Sequence, residues 1–598
     1  MPTKRTPRPR ARKWAAALTV LAAATGLLTT ALPAGADGRG GGKGDDTVDV
    51  QLLSFNDLHG NLEPPQGSSG EVTKKHEDGT TEQVKAGGVE YLASSLREAR
   101  DGHPYSVTAA AGDMVGASPL ISGLFHDEPT IEALNSLDLD VTSVGNHEFD
   151  EGRKELKRLQ NGGCHPVDGC AEEGKTFAGA DFPYLAANVT DKKSGKPLMK
   201  PYSVWKHKGV KIGFIGVTLE GTPDIVSGDG VKGLKFHDEV KTINKYAKKL
   251  QAKGVKSIVA LVHEGGEPAD QSYNYDCDSP GPGDGISGPI ADIAKKVTPK
   301  VDALVTGHTH QAYVCTLPDP SGAPRMVTSA SSFGKLYTDT TLTYDRKTRD
   351  IVRTSVKSAN HVVNRDQPKA TDMTALIKRW NKLAAPVAKK PIGWISEDIK
   401  APSDQPEAPL GDLIADAQLA SAKEKDDKAE LALMNSGGIR TDLVYEASGD
   451  EGDGVVTYSE AFDVQPFSNT VNVVDLTGEQ LLKVLQEQVT GDNESQNKIL
   501  QVSDGFTYTL DTTKSGADKI VADSVKLNDE PLESDRTYRV AINSFLAGGG
   551  DGFPTLGEGT NPLVGDDDMA ALENYLSANS SDGKPLPTPK ADRITVKK

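Results

Sequence analysis

The chain carries 598 residues, 36% of them hydrophobic and 25% charged, with 61 Gly and 35 Pro. That is too long for one ordinary core and well sized for two or more domains. Lys and Arg total 67 against 85 Asp and Glu, a net charge of −18, and a surface of that sign repels a phosphate polymer, which argues against a nucleic-acid polymer as partner.

Residues 1–36 open with Lys4, Arg5, Arg8, Arg10, Arg12 and Lys13, pass through an Ala/Leu stretch from Ala15 to Leu32, and finish in Ala34-Gly35-Ala36. This is the basic, apolar, small-residue order of a cleaved secretory signal peptide. The Ala, Thr and Gly of the stretch oppose a retained anchor, and no later run of about 18 apolar residues follows. The expectation is a secreted, extracellular protein with no stable membrane insertion once the signal is removed. Four cysteines, Cys164, Cys170, Cys277 and Cys315, suit two disulfides in that oxidising setting. Cys164 and Cys170 enclose only HPVDG, Cys277 lies in the loop DCDSPGPGDG, and Cys315 follows His310 by five positions. The pairs expected are therefore 164–170 and 277–315.

A Gly/Asp-rich linker, 37–47, leads into a first domain over 48–365. Short β-branched runs recur there: VDVQLLSF, SVTAAA, DVTSV, KIGFIGVT, SIVALV and VDALVT. Each reads as a buried strand closed by a polar or Gly-containing turn. Helical stretches such as Tyr91 to Arg100 and Val240 to Lys253 lie between them, the alternation of an α/β layered domain. Met373, Leu376, Ile377, Trp380 and Leu383 then recur at spacings of three and four, which predicts one amphipathic interdomain helix within 366–390. A second α/β domain covers 391–576, with an acidic, Gly-rich surface loop at 447–454, and a tail follows over 577–598.

Chemistry-bearing residues sit where the first-domain strands end. Asn56-Asp57-Leu58-His59 follows the first run, Gly112-Asp113 the second, and Gly145-Asn146-His147-Glu148-Phe149-Asp150 the third; His263-Glu264-Gly265-Gly266 and Gly307-His308-Thr309-His310 follow the last two. Strand carboxyl ends line one crevice in layered α/β folds, so these groups should converge. A lone Asp-x-His is an ordinary capped turn, but imidazole, carboxylate and amide oxygen at five strand ends make an N/O donor set for divalent first-row metals. The remaining histidines, such as His76, His126, His207, His237 and His361, lack this setting and read as ordinary surface or core residues.

On FNDLHG, GD, GNHEFD, HEGG and GHTH the chain resembles the calcineurin-like dinuclear metallophosphoesterases, and within them the secreted 5'-nucleotidase and UDP-sugar hydrolase group. The resemblance covers essentially the chain beyond the signal. It implies a four-layer α/β/β/α sandwich followed by a 5'-nucleotidase C-terminal substrate-binding domain. It further implies two divalent ions of the Mn, Zn, Mg or Co kind, one held by Asp57, His59, Asp113 and His310, the other by Asp113, Asn146, His263 and His308. His147 and Asp150 remain as a catalytic pair. In the second domain, stretches around Asn435, Arg440, Phe467, Phe545 and Asp551 match the family's nucleotide-binding motifs. Phe467 and Phe545 are thereby implied to sandwich a base, with Asn435, Arg440 and Asp551 on base, ribose or phosphate.

Two departures stand out. Some relatives carry Gln where this chain has His310, and relatives usually carry an Arg before the helix near Gly411, where this chain has SDQPEAPLGDL with Asp404. The expected activity is release of phosphate from nucleoside 5'-monophosphates, with UDP-sugars as further substrates. A 2',3'-cyclic nucleotide phosphodiesterase of the same fold is the alternative, and a non-catalytic nucleotide-binding surface protein the reading from another class. The sequence leaves the oligomeric state open.

Overall fold

The computed structural model describes residues 46–598 apart from 227–229, 404, 468, 495 and 497. The signal peptide, the linker up to residue 45 and Asp404 lie outside the described residues.

Two mixed sheets lie face to face in the first domain. In one, strand Thr47–Phe55 pairs antiparallel with Leu336–Asp345 and parallel with Ser106–Ala111, which continues in parallel to Val141–Ser143 and Tyr184–Leu185. In the other, Val210–Thr218, Ile258–His263 and Ala303–Thr306 run parallel, flanked by Tyr202–His207 on one side and Pro324–Ala330 with Ala312–Pro318 on the other.

The two-residue period of a strand sorts the side chains between layers. Val50 and Leu52 point between the sheets, where Val107, Ala109, Phe214, Val259 and Leu261 meet them. Leu53 and Phe55 point outward onto the helices Val89–Arg100, Glu128–Ser136 and Gly152–Asn161. On the far sheet Ile258, Ala260 and Val262 face Glu239–Ala252 and Pro289–Lys296. The result is the four-layer α/β/β/α sandwich. Both expected disulfides form, Cys164–Cys170 and Cys277–Cys315, and the second ties the Asp270–Gly285 loop to the strand after His310.

Helix Thr371–Ala388 joins the two domains in sequence, but its buried face, Met373, Ile377 and Trp380, belongs to the first-domain core. Leu383, placed on the apolar stripe by spacing, is 36% exposed. The second domain centres on a five-stranded sheet in the order Gln501–Val502, Leu431–Met434, Thr537–Asn543, Thr470–Thr477, Thr560–Asp567. Helices Pro409–Lys425 and Asp568–Asn579 cover one face. Helix Gly478–Glu487, started by a Thr477/Gln480 capping box, lies on the other.

The stretch 577–598, expected as a tail, is a correction. Its end, Ile594–Lys597, is a strand parallel to Phe506–Asp511, with Ile594 in the domain core. Arg593 grips Asp416 with both terminal nitrogens, at 2.8 and 2.7 Å. Glu407 accepts the backbone N–H groups of Arg593 and Ile594. A four-residue β-branched run is too short to announce itself without the strand it pairs with. Among the described residues no helix is long and apolar enough to cross a membrane.

Candidate metal centre and substrate cleft

The strand-end motifs meet in one buried cluster. Asp57, His59 and His310 form one group of donor atoms, and Asp113, His263 and His308 another, with the atoms of each group within 4.8 Å of one another. Asp113 faces both: its Oδ2 is 2.9 Å from His263 Nε2 and 3.7 Å from His59 Nε2. Asn146 Oδ1 lies 3.0 Å from His263 Nε2.

Asp57, His59, Asp113, His308 and His310 all adopt φ between 47° and 74°, the left-handed region that costs a non-Gly residue energy and recurs where function demands it. Neighbouring glycines make room. A Cβ on Gly145 would collide with Asp113 Oδ1, and one on Gly307 would come within 2.7 Å of Asp57 Oδ2.

Backbone groups fix the donors. The Asp57 carboxylate accepts the His308 N–H at 3.0 Å, and Asp113 Oδ1 accepts the His147 N–H at 2.9 Å. His59 Nδ1 is 2.9 Å from the Gly116 carbonyl, and His263 Nδ1 is 2.8 Å from that of Ala111. A carbonyl only accepts, so both rings carry their proton on Nδ1 and turn the Nε2 face inward. There His59 Nε2 meets His310 Nε2 at 3.1 Å.

Burial lifts the Asp57 carboxyl to about 7 and lowers His308 to about 3. Burial likewise pushes His59 and His310 well below the ordinary imidazole range, which keeps their lone pairs free. For His263, burial is outweighed by Asp113 and the pKa rises to about 10: the carboxylate draws positive charge to that point, a demand a cation meets as a proton does. Converging imidazoles, two carboxylates and an amide oxygen are a donor set that fits divalent metal ions.

His147 sits at the edge of the cluster, its Nδ1 2.8 Å from Asp150 Oδ2. Burial opposes a charged ring there, but Asp150 and Asp113 prevail and the pKa rises. Glu148, given no role from sequence, proves central to the scaffold. Its buried carboxylate accepts the N–H groups of Asp113, Met114 and Gly145 at 3.0, 2.8 and 2.5 Å, locking the Asp113 and Asn146 loops together. The only signal was an acid inside an otherwise buried motif.

From the second domain, Phe467 lies over His147, ring centroids 5.8 Å apart at 30°, and the Arg440 guanidinium lies 5.7 Å from the Phe467 centroid. Arg440 Nη2 is buried and has no hydrogen-bond partner among the described residues. A cleft of about 500 Å³ runs between the domains, lined by His310, Phe333, Lys335, Ser436, Gly437 and Arg440 among others. Asn435 donates to Asp551 Oδ2 at 2.7 Å and accepts from Asn543 at 2.8 Å. Asp551 Oδ1 takes a hydrogen bond from Lys498 at 2.7 Å. Lys498 and Asn543 were not singled out from sequence; Asn543 opens a motif that was, whereas Lys498 gave no signal. Phe545 lays its ring over Gly550, where there is no space for a Cβ.

The calcineurin-like phosphoesterase family model matches residues 51–312, and the 5'-nucleotidase C-terminal domain model matches 388–558. The chain is 33% identical to the cell wall protein Lmo0130 of Listeria monocytogenes, over 92% of this chain and 70% of that one. It is 31% identical to the endonuclease YhcR of Bacillus subtilis, over 92% of this chain but only 41% of that protein's length. It is 28% identical to the snake venom 5'-nucleotidase of Gloydius brevicauda, over 89% and 86% of the two chains. The crystal structure of a 5'-nucleotidase precursor from Thermus thermophilus superposes with a TM-score of 0.71 at 24% identity, over 92% of this chain and 99% of that one.

Proposed function

Because the chain belongs to the 5'-nucleotidase family of calcineurin-like metallophosphoesterases, which are hydrolases of phosphate esters, we propose that it releases phosphate from nucleoside 5'-monophosphates, and from UDP-sugars in addition. The observation that carries this reading is Arg440. Its Nη2 is buried and unpartnered at the mouth of the metal centre, where a phosphoryl oxygen would satisfy it. A cleft of about 500 Å³ suits a mononucleotide.

Two ions would be held by Asp57, His59, Asp113 and His310 and by Asp113, Asn146, His263 and His308, with Asp113 shared. Divalent ions held there supply the charge that acidifies water and draws electron density from a phosphoryl group. As the oxygen of a water molecule bonds to phosphorus and the ester P–O bond breaks, His147, oriented by Asp150, would give its Nε2 proton to the leaving oxygen. Arg440 holds the phosphoryl oxygens through the reaction. Phe467 and Phe545 flank the base, and Asn435 and Asp551 bind its polar edge or the ribose.

We keep 48–365 and 391–576 as the working division, with the last strand counted in the second domain, and secretion through the segment 1–36 as part of the proposal. The test is phosphate release from AMP, UMP, UDP-glucose, 2',3'-cyclic nucleotides, p-nitrophenyl phosphate and single-stranded DNA, with Mn, Zn, Mg and Co each supplied. AMP or UMP turnover well above that of the small ester is the expected result. Preference for cyclic nucleotides or DNA would overturn the reading.

A further inference from the structure

A second group of metal-ligating side chains assembles on the first-domain surface, sharing no residue with the donor groups of the metal centre. His126 ends the turn after the short helix Leu120–Gly123, Glu151 precedes helix Gly152–Asn161, and His165 and Asp168 lie in the loop closed by Cys164–Cys170. His126, Glu151 and His165 each offer a donor atom, all within 4.8 Å of one another. The imidazoles stack, centroids 3.7 Å apart and planes 22° from parallel, a distance at which two charged rings repel.

The hydrogen bonds sort the nitrogens. Asp168 Oδ2 lies 2.9 Å from His126 Nε2 and 3.0 Å from His165 Nδ1, and the His165 nitrogen accepts the Asp168 backbone N–H at 3.2 Å. His126 Nδ1 is then the nitrogen beside Glu151, 2.7 Å from its Oε2. An imidazole nitrogen of each ring and a Glu151 carboxylate oxygen lie within 4.8 Å of one another as the donor atoms.

We propose that His126, Glu151 and His165 bind a zinc-like divalent ion, with the Asp168 carboxylate orienting the His126 ring and the Asp168 backbone N–H the His165 ring, forming a metal site separate from the phosphoesterase centre. Two imidazoles and a carboxylate with one position left for water are a zinc donor set. A carboxylate behind a ligating imidazole, as Asp168 stands behind His126, sets its tautomer and raises its basicity. The disulfide holds the loop in place beforehand. The side chains of His126, His165 and Glu151 are 22%, 15% and 44% exposed, so an ion can enter from solvent. Binding displaces the proton shared between His126 and Glu151. Glu151 follows Asp150, so the ion clamps the disulfide loop to the segment that orients His147. The site does not depend on the nucleotidase reading, because none of its ligands touches the cleft.

Zinc content after dialysis and zinc titration by calorimetry test the site in wild type, His165→Phe and His126→Gln. The first variant keeps the ring stack and removes the nitrogens. Each variant should hold one zinc per chain fewer than wild type while phosphate release stays close to the wild-type rate. Equal zinc content in all three forms would show an ion-pair network only and overturn the site. A measurement on the wild type alone does not need the variants to fold: diethyl pyrocarbonate labelling of His126 and His165, mapped by mass spectrometry. Zinc at micromolar concentration should protect both histidines and magnesium should not. Labelling that zinc leaves unchanged would equally overturn the proposal.

Discussion

In the first domain, Asp57, His59, Asp113 and His263 are held by backbone N–H and carbonyl groups at strand ends, in left-handed conformations at three of the four. In the second domain, Asn435, Asp551, Asn543 and Lys498 hold one another side chain to side chain, and Arg440 leaves a nitrogen open. The contrast fits the division of labour proposed above, metal binding in the first domain and substrate recognition in the second. Metal donors must be aimed before the ion arrives, because a misplaced ligand loses the geometry that makes it one. Groups that recognise a substrate can keep hydrogen-bonding capacity in reserve for the substrate to fill.

Breaking the rigid half should cost most. Asp113→Asn removes the carboxylate that faces both donor groups, and kcat/KM for AMP should fall by roughly 100-fold or more with loss of bound metal. His310→Gln, which keeps an N/O donor, should lose far less. Equal losses with metal content unchanged would refute the shared role of Asp113.

Arg440→Met probes the adaptable half at its most charged point. Loss of a charge-assisted contact to the phosphoryl group should lower kcat/KM by about 10- to 100-fold on every phosphomonoester alike, with metal content intact. Unchanged kinetics would leave the open Nη2 without a function.

The two phenylalanines sharpen the comparison further. Base stacking contributes about 1–3 kcal/mol per contact, so Phe545→Ala should cut AMP turnover by roughly 5- to 150-fold and spare p-nitrophenyl phosphate. Phe467 also covers His147, so Phe467→Ala should lower both substrates, AMP the more. If Phe545→Ala lowers both equally, the base-sandwich assignment fails.

The smallest effect is on stability. Asp412 is fully buried, with Arg593 Nε 3.8 Å from its Oδ2, and burial, supported by Glu407 and Asp416 against the pull of Arg593, raises its pKa to about 8. Because the folded state holds this proton more tightly than the unfolded chain, stability is full below about pH 4 and is lost as the pH rises towards 8. Asp412→Asn should remove that loss and gain about 1–3 kcal/mol at pH 8 to 9 by urea unfolding, with little change at pH 5. An equal change at both pH values would show that the carboxyl does not titrate in this window.

Much of the first domain was legible because its signals are local. The β-branched runs and the motifs that follow them are contiguous, and a parallel α/β layering requires their ends to share one edge. Glu148 was read as part of a motif without a role, since its partners Asp113 and Met114 lie more than thirty positions away. Leu383 followed the helical period yet lies at the solvent edge, because the first-domain core is narrower than the apolar stripe. His126 read as an ordinary surface or core residue and His165 drew no attention, since nothing in sequence brings a turn and a disulfide loop within 3.7 Å.

The sequence by itself determined the layered α/β class, the donor types at the strand ends and the Cys164–Cys170 pair, because each is written in short runs whose physics is local. Tertiary structure decided what depends on distant segments meeting: Phe467 over His147, Lys498 on Asp551, Glu148 on the Asp113 and Met114 N–H groups, and the terminal strand Ile594–Lys597 beside Phe506–Asp511. Each of these contacts joins residues whose individual preferences are ordinary, and their energy exists only once the core has fixed the backbones that carry them.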